Sequence, residues 1–138
     1  NTRLWLQNMH PGGTPFAIAL DATRNRLFVL YALPGGDPDR VAVYTVTAGS
    51  TSFVADVQVG NGGEFGGSGI AINPTTGHVF VANSGANTMT VFDGVSLAVL
   101  ATVATGSDPG MIGVNPATNL VYIGNRLSNS VQIYHDSP

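Results

Sequence analysis

The chain has 138 residues, 43% of them hydrophobic and only 9% charged, with 18 Gly, 8 Pro and no Cys, a balance that suits one domain of short strands and tight turns. Its net charge of −3 comes from five basic residues, all Arg, against eight acidic ones, which leaves no basic stripe for phosphates and excludes nucleic acid as an expected partner. No apolar run approaches the roughly 18 residues that a helical membrane span needs, and the lack of Cys excludes disulfide and zinc–thiolate chemistry.

Taken in chain order, segment 1–14 (NTRLWLQNMHPGGT) aligns with the stretch AVLATVATGSDPG that closes a later repeat. It is expected to be an orphan fourth strand, residues 3–8, with its exit loop. A first, degenerate repeat follows at about 15–66, then a second at 67–108 and a third at 109–138. GIAINPTTGHVFVANSGANTMTVFDG at 69–94 and MIGVNPATNLVYIGNRLSNSVQIYHD at 111–136 share seven of 26 positions at a spacing of 42 residues, the signature of a repeat architecture. In the second repeat, period-two alternation places strands at 69–73, 78–83, 88–93 and 97–105, with NPTTG, NSGAN and DGVS as the turns. Pro74 and Pro116 end their strands, since proline cannot donate to a ladder.

These residues carry a resemblance. The pattern GIAxNPxTxxVYVANxxxNTVxVxDG resembles the YVTN-type β-propeller repeat, a relative of the NHL and surface-layer propeller repeats. It covers nearly the whole chain, closely in repeat two and in outline only in repeat one, where Asp21-Ala22 replaces Asn-Pro and Tyr31 replaces Asn. The resemblance implies an all-β propeller of four-stranded antiparallel blades, three per chain. It also implies that a strand from one terminus completes a blade begun at the other. Because closed rings need four or more blades, a homodimer of six blades, or the remaining blades of a longer chain, is expected to close the ring.

Loop lengths point to one face. Compared with repeat two, the first copy has four extra residues between Tyr31 and Val41 and four more between Gly60 and Ile70; both insertions fall on the same side, where loops vary without disturbing a core. That side carries the ligand-binding candidates His10, Asp37, Asp39, Arg40, Glu64, Phe65, Asp108 and Arg126. Asp37, Asp39 and Glu64 would offer Ca²⁺ three oxygen ligands if the two long loops met; otherwise no cofactor is expected. His10, His78 and His135 are dispersed without zinc spacing, and His135-Asp136 reads as a frayed end. The recurring Asn83, Asn87, Asn125 and Asn129 are expected to satisfy turn backbone groups, and Trp5 to pack between blades.

The expected function is a non-catalytic binding or scaffold propeller, extracellular or at a cell surface, presenting its long-loop face to a protein, glycan or small molecule. The alternative, implied by enzymes among related propellers, is a metal-assisted lyase or lactonase acting on a small cyclic substrate. The apolar inner strands Ala17–Leu20, Ile70–Ile72 and Ile112–Val114 argue against a metal in the channel itself.

Overall fold

A computed structural model describes residues 7–63 and 69–138. Among these residues, eleven strands form three antiparallel sheets. The first contains β1 (Thr14–Asp21), β2 (Arg26–Ala32), β3 (Arg40–Thr47) and β4 (Ser50–Gln58); the second contains β5 (Ile70–Ile72), β6 (His78–Asn83), β7 (Thr88–Asp93) and β8 (Val99–Ala104). The third has β9 (Pro109–Asn115), β10 (Leu120–Asn125) and β11 (Ser130–His135), and no strand among the described residues pairs with the outer edge of β11. Each sheet is a sequential meander, and β1 packs on β5 and β5 on β9. The first strands therefore converge on one side, as the innermost strands of adjacent propeller blades do. The described residues include no helix long and apolar enough to cross a membrane.

The hairpins explain the repeating asparagines. Asn25, Asn87, Asn119 and Asn129 each close a four-residue turn with positive φ, from 49° to 55°, the left-handed region that Asn tolerates better than most residues. Gly77 takes the same place after Pro74. The first and last strands of the second repeat are each shorter than expected, 70–72 and 99–104 in place of 69–73 and 97–105. Asn73 leaves the ladder to accept the Thr75 amide on its Oδ1, and Asp93 collects the amides of Val95 and Ser96, which holds residues 94–98 in a turn.

Alternation along β2 assigns its side chains to two cores. Phe28 and Leu30, with Val41 and Val43, face blade two and meet Val79, Val81 and Phe92, all fully buried. Phe28 and Phe92 contact edge-on at 6.0 Å. Burying each such side chain contributes roughly 1.5–3 kcal/mol. The same geometry recurs one blade on, where Phe80, Ala82 and Met89 pack on Val121 and Ile123.

The opposite face of β2 and β3, with Val29, Tyr31, Ala42 and Tyr44, packs against Met9. Of the expected orphan strand 3–8, residues 3–6 and Trp5 with them lie outside the described residues. Residues 7–13 form no strand; Gln7 instead uses its carboxamide to bond the Thr51 backbone in β4.

Candidate active site on the long-loop face

The two long loops of blade one meet. Pro34–Gly36 makes a single 3₁₀ turn, with Gly35 at φ 86° and Gly36 at φ 82°, conformations that glycine adopts without strain. Asn61, from the exit loop, staples the two segments: its Nδ2 donates to the Gly36 carbonyl at 3.1 Å, and its Oδ1 accepts the Gly63 amide at 2.7 Å. Beyond the loop, the Asp39 amide donates to the Gly60 carbonyl and the Val59 amide to the Asp39 carbonyl. These bonds extend the β3–β4 ladder past its last regular pair, Arg40 with Gln58. Ser84, in blade two, donates its hydroxyl to the Gly62 carbonyl, and Gly85 lies against Gly63 so closely that a Cβ there would come within 2.6 Å of the Gly63 nitrogen.

The result is a cavity of about 900 Å³ over the entrance to β1. Phe16, Leu33 and Pro34 supply apolar wall; among the described residues, Asp37 and Asp39 bring the ionisable side chains that line it. Asp37 is exposed, whereas Asp39 is 4% exposed. Burial pushes the Asp39 carboxyl above the ordinary carboxylate range, and a hydrogen bond from the Gly62 amide offsets part of that rise. A buried carboxyl with a raised pKa, open to a cavity, has the character of a proton-transfer group.

The other expected site residues are dispersed. Arg40 follows Asp39 in an extended strand, so its side chain takes the opposite face. There it neighbours Tyr31 across the ladder. Tyr31 donates to Asp56 at 2.9 Å, and its phenol is pushed up to about 12 by burial and by the Asp56 carboxylate. His10 is exposed and does not line the cavity. Asp108 and Arg126 pair with each other at 2.8 Å at the junction of blades two and three. Glu64 and Phe65 lie outside the described residues. Among the described residues no group of three His, Cys, Asp or Glu comes together as a metal-ligand set; of the expected trio for Ca²⁺, Asp37 and Asp39 line the cavity and Glu64 lies outside the described residues.

A second polar cluster was not legible in the sequence. Asp136 is no frayed end: it is 6% exposed and lies below the cavity-bearing side, at the start of β6. The His78 Nδ1 stands 2.7 Å from its Oδ1, while Asn73 and Thr76 donate to its Oδ2 at 2.8 and 2.5 Å. Asn83 plays a comparable cross-blade part on the other side, accepting the Gly60 amide at 3.0 Å. Asn83 thus satisfies a loop backbone amide, while Asn73 holds a carboxylate of the neighbouring blade.

A sequence profile described as "Lactonase, 7-bladed beta-propeller" matches residues 40–138. The chain belongs to the seven-bladed β-propeller lactonase family. Its fold is shared by hydrazine synthase from Kuenenia stuttgartiensis, with TM-score 0.72 at 16% identity over 94% of this chain and 47% of that one. It is shared also by a proposed 6-phosphogluconolactonase from Bacteroides fragilis NCTC 9343, with TM-score 0.76 at 16% identity over 95% of this chain and 37% of that one. In sequence, the PE-PGRS family protein PE_PGRS18 of Mycobacterium tuberculosis is 38% identical over 52 residues. This lactonase-family chain spans 11% of that relative's length, and less than half of either structure. Three contiguous blades of a lactonase propeller account for its three sheets.

Proposed function

We propose that the protein hydrolyses a lactone in the blade-one cavity, with Asp39 as the group that moves the proton. Membership in the lactonase family supports this reading over a purely non-catalytic scaffold, and the observation that carries it is the buried, cavity-lining Asp39 with its raised pKa.

Lactone opening needs a water oxygen to attack the ring carbonyl carbon and the ring C–O bond to break. The Asp39 carboxylate takes the proton from the attacking water, which becomes hydroxide-like as its bond to carbon forms. The protonated carboxyl then returns that proton to the ring oxygen as it leaves as an alkoxide, and a hydroxy acid results. One group serves both steps best when its pKa lies nearer the working pH than that of a free carboxylate. Burial supplies that shift here. Asn61 has both ends of its carboxamide engaged, so it positions the loops and leaves Thr14, Asp37 and Asp39 as the polar side chains of the described lining. No step is routed through a metal ion, because the described residues offer no suitable donor set.

The test is lactone hydrolysis by the wild-type chain and by Asp39→Asn, which keeps the shape and the Gly62 hydrogen bond but cannot take a proton. Loss of hydrolysis with ligand binding retained supports the reading. Hydrolysis that survives the substitution removes Asp39 from the chemistry. Binding without hydrolysis in the wild-type chain returns the long-loop face to the non-catalytic binding role.

A further inference from the structure

Blade two reaches into blade one at the cavity. Three consecutive residues at the end of β6 each meet the loop that leaves β4: Asn83 Oδ1 accepts the Gly60 amide at 3.0 Å, the Ser84 hydroxyl donates to the Gly62 carbonyl, and Gly85 lies against Gly63. Gly62 is itself buried, and its amide donates to the Asp39 carboxyl. Resting on the reading that Asp39 moves the proton, we infer that Ser84 is a positioning residue, which fixes the Gly62 carbonyl and so aims the Gly62 amide at Asp39. Glycine has no side chain to hold its own orientation. When such a residue gives a backbone hydrogen bond to a proton-transfer group, the aim of that bond depends on what grips its carbonyl.

The next junction shows that joining two blades does not by itself need this hydroxyl. Arg126 stands 42 residues after Ser84, at the repeat spacing, and its partner in the loop that leaves β8 is Asp108. The Asp108 carbonyl takes the Arg126 backbone amide at 3.0 Å, and the two side chains pair at 2.8 Å with Arg126 exposed. At the first junction a side-chain hydroxyl does the gripping, and the gripped residue touches a buried carboxyl. The Gly62 amide favours the charged form of Asp39 and opposes the rise that burial causes. Slackening that bond therefore keeps Asp39 protonated to higher pH. Of the other titratable groups nearby, Asp37 shares the cavity, Arg40 leaves on the opposite face of its strand, and Glu64 lies outside the described residues. All three are common to the wild-type chain and its Ser84 variants.

The test follows the Asp39 carboxyl carbon by NMR as pH is varied in the whole chain, with the signal assigned by its loss in Asp39→Asn. Ser84→Ala should move the titration midpoint upward by about half a pH unit, the size expected when one hydrogen bond to the carboxylate is weakened. Ser84→Thr, which keeps the hydroxyl, should restore the wild-type midpoint. Where lactone opening is measured, the acid limb of its kcat/KM profile should shift with the midpoint. A Ser84 that served packing alone would change stability and leave the midpoint where it is. An unchanged or lowered midpoint in Ser84→Ala, or an equal shift in Ser84→Thr, overturns the inference. Should Ser84→Ala fail to fold, Ser84→Cys, a weaker donor of similar size, carries the same expectation and the same refutation. A raised midpoint in a chain that opens no lactone supports the positioning role of Ser84 and removes the proton-transfer role of Asp39. Hydrolysis that depends on Asp39, with a midpoint that Ser84→Ala leaves unmoved, does the reverse.

Discussion

The carboxylate of Asp136 joins blade three to blade two through His78, Nδ1 to Oδ1 at 2.7 Å, although 58 residues separate them in sequence. The same carboxylate receives Asn73 and Thr76, and its backbone amide donates to the Asn119 carbonyl at 2.8 Å. Removing it strands three donors in a buried junction. Asp136→Ala should therefore lower stability by roughly 1–3 kcal/mol in urea denaturation. Asp108→Asn, which keeps a residue type suited to the positive φ of 56° there but removes the charge from an exposed pair with Arg126, should leave the midpoint unchanged within error.

Asp39 should cost stability where it supports chemistry. Its folded-state pKa is raised by burial, so the folded protein holds this proton at pH values where the unfolded chain has released it. Stability falls as pH rises from the unfolded carboxylate value, near 4, through the raised folded value, and the deficit persists at neutral pH. Asp39→Asn should therefore raise the urea midpoint at pH 7 and leave it unchanged at pH 3. An equal shift at both pH values would mean that packing, and not charge, explains the difference.

Tyr31 offers a spectroscopic check on the head of blade one. With its phenol pushed up to about 12 by burial and Asp56, the folded protein resists losing this proton, and stability declines as pH rises above about 10. Titration of tyrosinate absorbance should show a component near 12 that disappears in Tyr31→Phe. The substitution should cost about 1 kcal/mol near neutral pH.

Close approach between blades predicts a sharp contrast between two glycines. A Cβ at Gly60 would lie 2.5 Å from Asn83 Cγ, whereas one at Gly113 meets nothing within 4 Å. Gly60→Ala should destabilise by roughly 1–3 kcal/mol through overpacking, and should weaken the loop junction that shapes the cavity. Gly113→Ala should be neutral or slightly stabilising. Thermal melts of both variants decide the point.

Much of the fold was legible because propeller blades repeat their local chemistry. The 42-residue spacing, the strand alternation and the Asn-Pro turns located β5 to β8 within two residues. Where β8 begins was misjudged by two residues, because Leu97 adopts a positive φ of 65° that an apolar letter does not advertise. Loop length alone singled out the segment of Asp37 and Asp39, and the structure brings both to one cavity. Arg40 was grouped with them because adjacent loop letters look alike; the ladder bonds at Asp39 begin the strand one residue early and turn Arg40 away. Asp136 was missed for another reason. Its partners lie 58 to 63 residues back, and their pairing depends on how blades stack, which local pattern does not express.

The most direct test of the account is the rate at which a lactone opens in mildly acidic buffer, with the wild-type chain and with Asp39→Asn. The account predicts opening faster than the spontaneous reaction, and a loss of roughly a hundredfold or more of that acceleration when Asp39 can no longer take a proton. Equal acceleration by both proteins, or none by the wild-type chain, would contradict it.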